Sequence, residues 1–226
     1  MDIMLDNPAW SALTGHNTHF ANGTESVKYF ASEVSPFVAL KEISEDSFKE
    51  LYELTPAERT SLFVNVKETA IPATFKVLHY IPGLQMIYLG DEKPGDWNEG
   101  LVDLTDEHIP EMLALTKLTN PGPFAARTID FGHYKGIFED GKLAAMAGQR
   151  MHFSPYAEIS AVCTHPDNLG KGYARRLLLH HINRIKAAGE IPILHVRHDN
   201  ERAINVYKDM GFTTRSAIYF YVIKKV

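Results

Sequence analysis

Val162-Cys163-Thr164-His165-Pro166-Asp167-Asn168-Leu169-Gly170-Lys171-Gly172-Tyr173-Ala174 opens as an apolar, β-branched run, breaks at His165-Pro166 and passes two glycines one residue apart. It continues into Ala174-Arg175-Arg176-Leu177-Leu178-Leu179, where the apolar spacing turns helical. Run, break and helical pattern together predict a strand, a glycine loop and a helix start. A loop of this kind presents unpaired backbone N–H groups and the positive end of a helix dipole, which suits a phosphate or pyrophosphate.

Two common phosphate loops are excluded. No Gly-x-x-x-x-Gly-Lys-Ser/Thr occurs here, because Lys171 is followed by Gly172, and the third glycine of a dinucleotide fingerprint would fall on Arg175.

Composition narrows the classes further. With 226 residues the chain can bury a sizeable core. A net charge of −5 and a pI near 6.1 give no support for bulk nucleic-acid binding. Cys163 is the single cysteine, so no intramolecular disulfide forms and a reducing compartment is the simpler assumption. The first residues lack the order of a secretory signal, and no apolar run approaches a membrane span. A cytoplasmic protein without membrane partners is expected, either monomer or homodimer.

Outward from the loop, residues 7–37 read as irregular and 38–41 as a short strand. Ser44 is expected to cap a helix to about Leu54, and Thr55-Pro56 to start another. Strands are predicted at 61–66, 75–80 and 85–89. The polar stretch Gly90–Asp96 marks a boundary between residues 1–95 and residues 96–226. Beyond it, Thr105 is an N-cap for a helix to Thr116, although His108 three residues on does not complete a capping box with a Glu or Gln. A short second helix is expected at 124–128. Asp140-Gly141 sets a hairpin between 134–138 and 142–147. Ala157–Thr164 is the strand that delivers the loop. A helix ending at Gly189, a strand at 191–196, a helix from Asn200 to Gly211 and a last strand at 217–223 complete the order β-α-α-β-β-β-α-β-α-β. The fold class is α+β, a mixed sheet flanked by helices. Residues 1–95 also mix strands and helices, so they are expected to form an α/β region comparable to a degenerate partner domain.

A second motif closes the sequence argument. Asn200-Glu201-Arg202-Ala203-Ile204-Asn205-Val206-Tyr207-Lys208-Asp209-Met210-Gly211-Phe212 has Asn, Ala three later, Tyr four after that, and Gly-Phe at the helix end. This pattern, with Leu169-Gly170-Lys171-Gly172-Tyr173-Ala174 upstream, resembles the GNAT acyltransferases, whose pyrophosphate loop reads Gln/Arg-x-x-Gly-x-Gly/Ala. Leu169 departs from the Gln or Arg preferred there, losing a side-chain contact but keeping the backbone cradle. The wording around 158–174 is similar to the glycine acyltransferase-like branch. The resemblance covers about residues 100–226.

The resemblance implies acetyl-CoA as acyl donor, a small amine as acceptor and no metal. Backbone around Gly170, Gly172, Tyr173 and Ala174 would hold the pyrophosphate, and Val162, Cys163 and Thr164 would pair with the pantetheine as if it were another strand. Lys171, Arg175 and Arg176 either reach the CoA phosphates or are solvated. Asn200 with Ala203 meets the pantetheine arm, or Asn200 is a plain N-cap. Tyr207 protonates the departing thiolate, or is a core aromatic. Glu158, leaning into a partly buried cleft with a raised pKa, is the general base or a rim carboxylate. Strand alternation puts Glu158, Ser160, Val162 and Thr164 on one face and Cys163 on the other, which argues against a covalent acyl-cysteine. His180, His181, His195 and His198 fit no standard metal spacing. The expected function is N-acetyl transfer to a primary amine of a small molecule or amino acid. The alternatives are a non-catalytic CoA-binding regulatory module and an acyltransferase for longer chains.

Overall fold

The computed structural model describes residues 3–91 and 97–226. The chain begins with two short helices, α1 (Ile3–Asp6) and α2 (Pro8–Thr14), where an irregular segment was expected. Asn7 caps α2 by accepting from the Trp10 N–H and Pro8 occupies the first turn, a start signal in only a seven-residue helix. Strands β1 (Ala21–Gly23), β2 (Val27–Phe30) and β3 (Phe37–Leu40) follow. Helix α3 (Glu45–Leu54) starts at Ser44, whose hydroxyl accepts from the Ser47 N–H at 3.1 Å, as expected. Thr55 does not start a second helix. It ends α3 instead, its hydroxyl donating to the Leu51 carbonyl at 2.7 Å.

Strand β4 (Thr60–Asn65) precedes β5 (Phe75–Tyr88), a single 14-residue strand where two were expected. Pro82 pairs with Tyr219 on one edge and is tolerated because the ladder on the other edge, with the strand at 191–197, begins only at Gly83. The stretch Gly90–Asp96, read as a boundary, lies mostly outside the described residues. Then come β6 (Val102–Asp103), a 3-10 turn at 106–108 and α4 (Ile109–Thr119). His108 does complete a capping box, its ring Nδ1 accepting from the Thr105 N–H at 3.0 Å, a part usually played by Glu or Gln. A 3-10 turn at Thr128–Phe131 replaces the helix expected at 124–128. The rest follows the expected order: β7 (Lys135–Glu139), β8 (Lys142–Phe153), β9 (Tyr156–Thr164), α5 (Tyr173–Ala187), β10 (Ile191–Arg197), α6 (Glu201–Met210) and β11 (Phe212–Lys225).

The eleven strands of the described residues join one sheet in the order β1-β2-β3-β4-β11-β5-β10-β9-β8-β7-β6. β5 lies between β10 and β11, so the sheet runs unbroken from the first ninety residues into the rest. Helices α1 and α2 bury Leu5, Ala9, Ala12 and Leu13 against Phe30, Phe37, Met151 and Phe153 on one face. On the other, α5 and α6 bury Leu178, Ile182, Ile185, Ile204 and Met210 against Met86, Ile159 and Leu194. Burial of that apolar area is the main stabilising term.

Candidate functional site

The site begins where two parallel strands part. β9 and β10 pair from Ile191↔Tyr156 through Ile193↔Glu158, and the ladder stops there. From Ile159 to Thr164 the β10-facing edge of β9 has no strand beside it, although β8 still pairs with the other edge. The gap opens into a cleft of about 1310 Å³.

β9 does not alternate evenly. Between the pairs Met146↔Cys163 and Gly148↔Ser160, one residue of β8 faces two of β9, and Ala161 takes a φ of 53°. This bulge reverses the faces beyond it. Val162 packs toward α5 with Ile159, while Cys163 joins Ala161, Met146 and Met112 beneath α4. The expectation that Cys163 faces away from Glu158 is therefore corrected: both side chains turn away from α5. Burial pushes the Cys163 thiol up to about 11, so it stays protonated and unreactive at neutral pH.

The glycine loop has the conformation the two glycines suggest. Gly170 and Gly172 have φ of 83° and 80°, and a Cβ on either would point into open space. Gly172 is the N-cap of α5, and Arg176 N–H is bonded back to its carbonyl at 3.0 Å. The N–H groups before Arg176 thus project from the helix end toward the cleft. A pyrophosphate fits such a cradle, whose open space lies where side chains would otherwise stand. Lys171 is drawn aside, 3.3 Å from Asn168 Oδ1 and 3.6 Å from the Glu139 carboxylate, and Tyr173 donates its hydroxyl to Glu139.

Val162, Cys163, Thr164, Leu169, Gly170, Gly172, Tyr173, Ala174, Arg175, Asn200, Ala203 and Tyr207 all line this cleft; Lys171 and Glu158 do not. Asn200 caps α6, its side chain accepting from the Ala203 N–H at 3.2 Å. Tyr207 is half-buried beside Phe212, and among the described residues no group hydrogen-bonds its hydroxyl. Burial, with Cys163 nearby, pushes its pKa up to about 12, so the phenol holds its proton through the neutral range.

Glu158 has a different setting from the one expected. Its carboxylate is 1% exposed and accepts four hydrogen bonds. Arg150 donates from Nη2 to Oε1 at 2.5 Å and from Nε to Oε2 at 2.9 Å; His195 Nδ1 lies 2.7 Å from Oε1, and Met151 N–H 3.2 Å from Oε2. Burial alone would raise its pKa. The Arg150 charge and then His195 outweigh burial and hold the carboxyl well below the usual carboxylate range. That corrects the expected raised pKa. A second bulge makes the arrangement possible, because Arg150 and Met151 both lie opposite Glu158, between the pairs Gln149↔Ile159 and His152↔Ala157.

The network continues inward. Arg215 Nη1 donates to Gln85 Oε1 at 2.9 Å, which turns Gln85 Nε2 toward the Leu5 carbonyl at 2.9 Å and His195 Nε2 at 3.1 Å. His195 Nε2 accepts, so the ring proton sits on Nδ1 and is donated to Glu158. Arg150 and His195 both line the cleft. Neither was singled out from sequence as part of this site. The available signal was one arginine inside the apolar strand Ala144–Phe153, but two bulges hide which residue it faces. His198 Nδ1 is 3.0 Å from the Pro82 carbonyl oxygen. Elsewhere, His152 Nε2 lies 2.7 Å from Glu190 Oε1 and its Nδ1 lies 3.1 Å from His16 Nδ1, and one ligand atom from each of the three lies within 4.8 Å of the others.

Known proteins share this architecture. A family model described as FR47-like protein matches residues 134–221. A GNAT-family protein of Novosphingobium aromaticivorans DSM 12444 is 34% identical over 98% of each chain, with a TM-score of 0.91. The chain belongs to the GNAT family. A GCN5-related N-acetyltransferase from Kribbella flavida shares the fold, at 14% identity over 95% of this chain and 93% of that one, with a TM-score of 0.59. So does a GCN5-related N-acetyltransferase-like protein from Streptococcus suis 89/1591, at 14% identity over 90% and 82%, with a TM-score of 0.55. No functionally curated protein matches. The Novosphingobium relative is described as an acetyltransferase, and no helix among the described residues of this chain is long and apolar enough to cross a membrane.

Proposed function

We propose that this GNAT protein is an acetyl-CoA-dependent N-acetyltransferase, acting on a primary amine of a small molecule or amino acid by direct transfer in a ternary complex. The observation that carries this reading is the meeting, in one cleft, of the Gly170–Gly172 cradle, the open edge of β9 and a Tyr207 hydroxyl without a hydrogen-bond partner among the described residues. The cradle would hold the CoA pyrophosphate, and the edge Val162–Thr164 would pair with the pantetheine amides. Tyr207, with its proton held by burial, is suited to donate it to the departing sulfur. Cys163 takes no part.

Glu158 is committed to Arg150, His195 and Met151, so its role in this proposal is to hold the cleft wall. The amine proton passes to water in the open cleft, and the rate comes largely from placing amine and thioester together. Residues 1–95 would supply part of the acceptor wall through Phe37 and Leu62, which line the cleft with the loop at 118–123.

The test is thiol release from acetyl-CoA, followed with a thiol-reactive dye, across amino acids, polyamines and aromatic amines. The buried Cys163 keeps the blank low. Amine-dependent release is expected. Binding of acetyl-CoA without release for any amine would favour the regulatory-binder alternative, and release only from longer thioesters would move the assignment to another acyl donor.

A further inference from the structure

Arg150 spends only part of its guanidinium on Glu158. Nε and Nη2 make the two bonds to the carboxylate, and none of the other hydrogen bonds among the described residues uses Nη1. Although the side chain is only 9% exposed, Nη1 is not among the buried atoms left without a partner, so its N–H groups reach the cleft surface. They face the loop after α4: a Cβ built on Gly122 would lie 4.0 Å from Nη1. The guanidinium also sits over the Phe37 ring, 4.8 Å from its centroid. Phe37, Leu62, Phe220 and Val222 pack together as an apolar part of the cleft wall, beside the polar Ser61, Tyr80 and His195.

We infer that Arg150 Nη1 is the carboxylate-recognising end of the acceptor subsite, and that the acceptor is an amine carrying both an acid group and an apolar group, the chemistry of a hydrophobic amino acid. The inference rests on the acyl-transfer reading above for the word acceptor, but the subsite itself does not. A carboxylate can take the two N–H groups of Nη1 as charge-assisted bonds, while the apolar wall buries the rest of the molecule. A doubly charged phosphate is disfavoured, because Glu158 already offsets much of the Arg150 charge. A plain apolar amine would leave Nη1 desolvated and unpaired, which costs affinity.

The experiment uses probes that cannot react. The full chain with CoA bound is titrated calorimetrically with 3-phenylpropionate and, separately, with 3-phenylpropionamide. The acid is expected to bind at least about tenfold more tightly than the amide. That preference should vanish in Arg150→Lys, which keeps a positive charge beside Glu158 but has no second nitrogen to offer. Gly122→Asp, at an exposed loop position where a φ of 136° adds local strain, supplies an independent variant if Arg150→Lys does not fold. Its carboxylate would fill the subsite from the loop, removing the acid preference while the amide still binds. Equal or undetectable binding of both probes overturns the inference, as does an acid preference that survives either variant. Failure to bind CoA, or binding without transfer to any amine, would instead break the acyltransferase reading.

Discussion

At one end of the cleft the wall is main chain: the Gly170–Gly172 loop, the start of α5 and the unpaired edge of β9. At the other end it is side chains gathered from across the chain, with Phe37 beneath Arg150, Arg150 on Glu158, and Glu158 on a His195 oriented by Gln85 and Arg215. The first end depends on glycine conformations that a short stretch encodes locally. The second depends on six strands arriving in register. A backbone site binds any ligand with the right phosphate geometry, whereas a side-chain site selects, which fits a common donor at one end and a particular acceptor at the other.

The sharpest way to break this contrast is Glu158→Gln. It leaves Arg150 buried with its charge unpaired, and a stability loss of about 3–5 kcal/mol is expected by chemical denaturation. Acetyl-CoA affinity of the folded fraction should stay close to that of the parent. A large fall in turnover with stability unchanged would instead mark Glu158 as the base and erase the distinction drawn here. Gly172→Glu attacks the donor end alone. It forces a side chain to adopt a φ of 80° and sets a carboxylate at the cradle, so acetyl-CoA should bind about 100-fold more weakly by calorimetry, with the acceptor end intact.

Tyr207→Phe is milder and separates chemistry from binding. It should lower kcat about 10- to 100-fold while the KM for acetyl-CoA and the melting temperature move little. Acid tests the scaffold behind the donor end. Burial holds His180 down to about 4 and His181 well below the usual histidine value. Below pH 6.5 the unfolded chain therefore takes up protons that the folded chain refuses, and stability is lost as pH falls through that range. Between pH 7.5 and 5.5 the loss should be about 1–2 kcal/mol, and His181→Leu should flatten the dependence. Smallest is Asn200→Ala, expected to remove about 1 kcal/mol of helix capping; a tenfold weaker grip on acetyl-CoA would show that Asn200 also meets the donor.

The two ends were also unequally legible in the sequence. Strand, glycine loop and helix start could be read from thirteen consecutive residues, and the element order after residue 100 held apart from one helix that became a 3-10 turn. Those features rest on local backbone preference and on periodicity. The pairing of Arg150 with Glu158 rests on two bulges that shift the register, and bulges change neither composition nor period enough to show in one sequence. The N-terminal helices escaped notice for another reason: at four and seven residues they are too short to display a repeating face. In the opposite direction, the strands read at 75–80 and 85–89 are one strand in the sheet, with Pro82 and Gly83 in its middle.

The place of β5 has a consequence for taking the protein apart. β11 pairs with β5 along nearly its full length, and β10 pairs with β5 on the other side, so the last two strands meet only through a strand from the first ninety residues. A recombinant piece beginning at residue 97 would carry both motifs yet lack the middle rung that joins its ends. Expressed alone it should aggregate or stay loose; co-expressed with residues 1–96 as a separate polypeptide, it should reassemble into a working two-chain protein.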